Sequence, residues 1–371
     1  MAHRRRRPWG WLVVAALLLA LGAWLMRGAE PPARPEPERV SMPTRATRRE
    51  LQQVEQRRTW VPVVSPDGGA PSLDEARPRD PVLALMPTEV KRGAVVGEYN
   101  ALINSELGAR LTECMFGGAG ARSRLEELKD GGLDPINGID RVAFVDDAFM
   151  LTGNFRGARW KELFGAEVVK DYGRNGQLFE STLSDGGTDV FATWGGQLML
   201  AGASEAVLKD TLDRLDGRAR MSGRPVVDES MAYGELYGVL APSTVADLLR
   251  EADPKVAELL LDSVKDVELH ADLGHDLGLV ADVRPRSAAQ AEELRRALGG
   301  GLSLARAAAV AKGQQDVAQL LDLASVGGAG SSGGFRLEAG VPHDFMVKML
   351  DECIARRRRE ASAATDDDDG Q

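Results

Sequence analysis

The sequence predicts an α+β fold: antiparallel sheets covered by helices, in two pseudo-repeated halves, preceded by one transmembrane helix and a proline-rich linker. Three observations carry this. Short apolar runs alternate with polar residues and come in adjacent pairs bounded by turn residues, as antiparallel hairpins do. The segments between them carry apolar residues at helical spacing. The order strand, helices, hairpin, helix, strands, helix then occurs twice, over 89–217 and over 218–359.

Taken in order, residues 1–7 end in four arginines and read as a basic cytoplasmic N-terminus. From Pro8 to Met26 the chain runs without an ionisable side chain. At ~1.5 Å of rise per residue, a helix of that length matches the ~30 Å hydrocarbon core of a bilayer. Trp9, Trp11 and Trp24 stand near its ends, where indole rings favour the headgroup region. Four arginines before the span and one directly after it, Arg27, favour an N-in, C-out orientation. A cleaved signal peptide needs small residues ahead of the cut, and both Leu21-Gly22-Ala23 and Arg27-Gly28-Ala29 offer a poor match. The expectation is an uncleaved single-pass anchor in the inner membrane with a periplasmic C-terminal domain.

Residues 27–88 read as a disordered spacer, because eleven of the 18 prolines fall between Gly28 and Pro87 and proline lacks an amide donor. The first half then opens with a strand at Ala94–Tyr99, an amphipathic helix at Leu102–Phe116 and another at Ala121–Lys129. A hairpin follows, Arg141–Val145 with Phe149–Phe155, then a helix at Arg159–Phe164. Strands at Gln177–Leu183, Asp189–Trp194 and Gln197–Ala203 lead to a helix, Ser204–Leu215, with Ser204 as its N-cap. The second half has a strand at Tyr233–Leu240, a helical stretch Ser243–Val264 broken near Pro254, and a hairpin of Val267–Asp272 with Leu277–Arg284. Ser287 and Gln290 form a capping box for a helix reaching Lys312. Strands at Leu323–Val326 and Phe335–Val341 and a helix at His343–Arg358 complete it, and 360–371 reads as an acidic disordered tail.

The charge balance narrows the partners. The chain carries −10, and without the five arginines of residues 1–27 the remainder carries −15. Such a surface is repelled by phosphates, so nucleic acid is excluded as a partner. Cys114 and Cys353, the two cysteines, would face an oxidising compartment and are candidates for one disulfide.

Leu133 to Phe144 (LDPINGIDRVAF), Met150 to Phe155 (MLTGNF) and Leu198 to Ala203 (LMLAGA) resemble uncharacterised exported proteins of gliding and predatory proteobacteria, built from duplicated α+β units. The likeness spans roughly 90–358. Its motifs are a turn, a strand and a cap, so it implies a fold and an exported location and carries over no activity.

Candidate chemistry is sparse. His270, Asp272, His275 and Asp276 mix imidazole and carboxylate as zinc sites do, but they fall on a hairpin end where Glu268, His270 and Asp272 should share a solvated face. Gly330 to Gly334 matches the Gly-x-Ser-x-Gly pattern, yet a strand follows instead of a helix, and the one later histidine, His343, precedes Asp344 instead of following an acid. Asp146 with Asp147, and Glu180 with Asp185, are acidic pairs expected by coincidence among 56 acidic residues. Asp366–Asp369 reads as a solvated charge block. Trp160 and Trp194, with Tyr172, are the large side chains that could form a binding surface or pack in a core. No catalytic, metal or cofactor residue is assigned. The expectation is a non-catalytic binding or scaffold domain with an envelope-protein or cell-wall partner. The alternatives are a carrier or sensor of an apolar small molecule, which needs an enclosed pocket, and an envelope hydrolase.

Overall fold

The computed structural model describes residues 40–44, 80–182, 188–219, 223–250, 253–328 and 334–366. The expected span 8–26, Asp185, most of the glycine-rich run and the tail beyond Asp366 lie outside the described residues. Among the described residues, no helix is long and apolar enough to cross a membrane.

The fold is α+β, with one antiparallel sheet of twelve strands. Helix α1 (Pro81–Leu85) precedes β1 (Gly93–Gly97), α2 (Tyr99–Ile103), α3 (Glu106–Phe116) and α4 (Ala119–Asp130). The hairpin β2 (Ile139–Val145) and β3 (Ala148–Gly153) leads to α5 (Trp160–Phe164), β4 (Glu167–Tyr172), β5 (Gly176–Thr182), β6 (Thr188–Trp194), β7 (Leu198–Ala201) and α6 (Glu205–Leu215). After a 3-10 turn at Glu229–Met231 come β8 (Leu236–Leu240), α7 (Pro242–Leu249), α8 (Pro254–Ser263), β9 (Val264–Asp272) and β10 (Leu277–Pro285). Helices α9 (Ala288–Ala311) and α10 (Gln315–Asp322), strands β11 (Ser325–Gly328) and β12 (Phe335–Val341), and α11 (His343–Asp366) finish the chain.

Across the sheet the strands run β4-β5-β6-β7-β3-β2-β1-β8-β9-β10-β12-β11. The two stretches of chain meet at its centre, where Ala94 pairs with Val239 and Val96 with Tyr237. Alternation along the strands then assigns each face. On one face, Val96, Ala143, Met150, Leu198 and Leu200 pack under α1 and α6. On the other, Leu151, Phe179, Phe191 and Met199 pack with Trp160 of α5 in the first half. Val267, Ala281, Val283 and Phe335 pack against α7, α8 and α9 in the second.

Several expected elements shift for local reasons. The helix expected over Leu102–Phe116 divides at Ser105, whose hydroxyl accepts the Gly108 N–H at 3.0 Å and so caps α3. A Cβ at Gly108 would lie 1.7 Å from the Leu102 carbonyl oxygen, so only glycine fits this corner. Strand β4 has no counterpart in the expectation: Val168 and Val169 are flanked by Glu167, Lys170 and Asp171, the charged pattern of an edge strand. Helix α10 also lies where no element is expected.

The expected spacer 27–88 is docked at two places. Asp80, Val82 and Met86 are buried, and Pro43 is buried as well. Residues 40–43 cross β10 and β12 at the paired glycines Gly278 and Gly340, where a Cβ would meet the Ser41 carbonyl at 2.3 Å and the Val40 side chain at 2.9 Å. A side chain at either of these two positions would displace the segment.

Candidate functional site

On β9, the sequence places Glu268, His270 and Asp272 on the face opposite Val267, Leu269 and Ala271, and that alternation is present. The face is not solvated at Glu268 and His270, which are 7 % and 0 % exposed. The chain entering β8 covers them: the Tyr233 ring stacks on the His270 imidazole, centroids 3.6 Å apart. His270 Nδ1 donates to the Tyr233 carbonyl oxygen at 3.2 Å, so Nε2 is left to face Glu268 Oε1 at 3.0 Å. A carbonyl can only accept, and the Nε2–Oε1 contact therefore needs a proton of its own between the two side chains.

The same face carries more buried polarity at the centre of the sheet. The Tyr237 hydroxyl donates to Glu98 Oε1 at 3.0 Å. Arg141 pairs with Asp80, both side chains almost wholly buried. Burial alone would lower the Arg141 pKa; the Asp80 carboxylate, with lesser help from Glu98 and Tyr237, outweighs burial and raises it. Further out, Arg336 grips Asp282 with two hydrogen bonds, one of 2.8 Å and one of 2.7 Å. Such paired charge-assisted bonds hold the geometry as well as the charge. These groups pair with one another, and the pairs tie neighbouring segments of the sheet together.

Asp146, at the β2–β3 turn with φ of 51°, accepts the N–H groups of Lys91, Arg92 and Gly93 through Oδ1, while Asp147 pairs with Arg92. Glu180 stands exposed on β5 opposite Glu167. Trp194 is 9 % exposed and its indole N–H donates to Asp216 Oδ1 at 2.8 Å, so of the two roles open to it, binding surface or core, it takes the core. A hydrogen-bonded indole in the core satisfies its polar edge there. Tyr172 is held by Asp213 at 3.2 Å and by Arg218 over its ring.

Trp160 is 8 % exposed and sits among Phe155, Phe164, Phe179 and Phe191, with ring centroids between 5.6 Å and 6.2 Å away. It forms the floor of an open groove of about 440 Å³ between α5 and strands β4 and β5. Val168, 54 % exposed, lines the same groove, and Phe164, 40 % exposed, stacks on the Trp160 ring. A second open groove of about 420 Å³, between α4 and α5, is lined by Glu126, Glu127, Asp130 and Glu162 with Arg159.

His275 and His343, far apart in sequence, meet in space. His275 lies in the β9–β10 turn, His343 begins α11, and Glu106 begins α3. The two imidazoles stack with centroids 4.3 Å apart, and His343 Nε2 lies 3.7 Å from Glu106 Oε1. The expected cluster of His270 with His275 is thereby split: the hairpin sends His270 into the sheet's interior network and His275 to the surface. Helix α3 lies beside α11, and Cys114 and Cys353 are disulfide-bonded between them with Cα atoms 5.6 Å apart. Sequence reasoning missed Glu106 and His343 as neighbours of His275 because nothing local links three elements so far apart. Comparison of the chain with protein-family models, with curated proteins and with solved structures finds no match.

Proposed function

We propose that the chain is a membrane-tethered envelope protein. Residues 8–26 cross the inner membrane, the N-terminus stays in the cytoplasm, and the α+β domain works in the periplasm as a non-catalytic binding or scaffold module. The single observation that carries this reading is the Cys114–Cys353 bond in a chain that opens with a basic segment and an uncharged apolar run. Disulfides persist in oxidising compartments. A bond across a sequence separation of 239 ties the two ends of the domain together. The docking of residues 40–44 supports a close tether. Only residues 27–39 separate the apolar run from the sheet, a reach of at most ~45 Å.

The two halves are a duplicated unit in this proposal. Outward from the central β1–β8 pair the strands read β1-β2-β3-β7-β6 on one side and β8-β9-β10-β12-β11 on the other, which supports it. The acidic pair and buried charges are engaged in backbone capping and strand bracing, which favours binding over catalysis. The carrier reading would need an enclosed apolar cavity of at least ~300 Å³. The two grooves described are instead open to solvent.

Protease added to cells with a permeabilised outer layer should digest the chain beyond residue 27 and leave the N-terminal segment protected. Full protection of the domain would refute the topology. Cross-linking in intact cells should then capture an envelope partner; recovery of self-contacts alone would favour a homo-oligomeric scaffold.

A further inference from the structure

We propose that Glu106, His275 and His343 form a binding site for a divalent late first-row transition cation, with zinc(II) the ion their chemistry fits best. The proposal stands apart from the membrane topology and would survive its failure.

The donor set is two imidazole nitrogens and one carboxylate oxygen, and the potential ligand atoms all lie within 4.8 Å of one another. Magnesium and calcium favour oxygen-only shells, whereas zinc accepts nitrogen and oxygen together. His343 Nε2 and Glu106 Oε1 stand 3.7 Å apart. That is already near the ~3.3 Å edge of a tetrahedron built on zinc–ligand bonds of ~2.0 Å. Three protein ligands would leave a fourth position for water or for a group on a partner.

The ligands are oriented from behind. His343 Nδ1 donates to the His275 carbonyl oxygen at 2.8 Å, which fixes the tautomer and leaves the Nε2 lone pair directed outward toward Glu106. A backbone carbonyl on the far imidazole nitrogen is the usual outer partner of a metal-bound histidine. Asp276 accepts the backbone N–H of His343 at 2.9 Å and pins the start of α11. The same carboxylate offsets the unfavourable field of the two helix N-termini on a cation. Helices α3 and α11 are locked together by the disulfide and by Arg110 with Asp351, so Glu106 and His343 keep their separation.

One movement is required. Stacked imidazoles cannot both hold an ion in their ring planes, so His275 must turn out of the stack. It stands exposed in a turn, where solvent gives the ring room to rotate. Glu106 is exposed too, which leaves an entry path.

The test uses the untagged full-length chain in detergent, disulfide intact, stripped with a chelator and titrated with zinc by calorimetry. One zinc per chain is expected, with Kd at or below about 10 µM. H275Q and H343Q should each weaken it at least about tenfold, while H3Q binds as the parent does. H275Q alters an exposed turn residue, so its loss of binding is readable even where H343Q fails to fold. Absence of stoichiometric zinc, parental affinity in H275Q, or loss of binding in H3Q would each overturn the site.

Discussion

Glu268 and His270 stand side by side on one face of β9, both buried. Removing the carboxylate leaves Nε2 of the imidazole without its partner in a place water does not reach, so E268A should lower unfolding free energy by about 1–3 kcal/mol. E268Q keeps an amide able either to donate to Nε2 or to accept from it, and should cost less. Urea titration of the two variants measures the difference, and equal losses would mean the hydrogen bond is not what matters. Glu235, at the entry to β8, behaves differently. Its pKa is raised, first by burial and then by the neighbouring Asp272 carboxylate, although the Leu273 N–H at 2.6 Å works in the opposite direction. The folded state therefore holds that proton more tightly than the unfolded chain. Its contribution is complete below the ordinary glutamate value of ~4.3 and is lost as pH rises through the raised folded value. Parent and E235Q should thus be similar in stability near pH 4, with the parent falling behind E235Q as the pH approaches neutrality; parallel denaturation curves at both pH values would contradict this.

At the scale of elements, α9 carries Gly299, Gly300 and Gly301 in mid-helix, and a Cβ at any of them meets nothing within 4 Å. Glycine there costs backbone entropy and gains no contact, so G300A should stabilise the protein by about 0.5–1 kcal/mol in a urea titration. Strand and helix placement was legible wherever the pattern was strong. The β2–β3 hairpin, β12, and the caps at Ser204 and Ser287 follow from alternation and capping chemistry that act within a few residues. Edge strand β4 was not legible, because it shows water a run of charged residues that mask the period. Helix α10 was missed for a related reason: so short a segment gives too few repeats of an apolar face to stand out.

For the whole molecule, the decisive link joins α3 in the first half to α11 at the end of the second, across a sequence separation of 239. Closing a loop of that size should contribute on the order of 4–5 kcal/mol by restricting the unfolded chain. Thermal melting with and without reductant, alongside C114S/C353S, measures it. The reduced parent should melt well below the oxidised one and close to the double variant; no shift on reduction would show that the bond does not constrain unfolding.

The sequence by itself determined the fold class, the sites of most elements, and the pair of sulfurs able to bond, because periodicity, turn chemistry and residue counts are local or compositional quantities. Only the tertiary structure decided which polar face was buried, where the spacer docks, and that His275 meets His343 and Glu106 instead of His270. Each of those depends on what a distant segment lays over a strand or turn, such as Tyr233 on His270 or residues 40–43 on Gly278 and Gly340. No period along a single strand encodes its cover, so alternation gives the face but not the solvent.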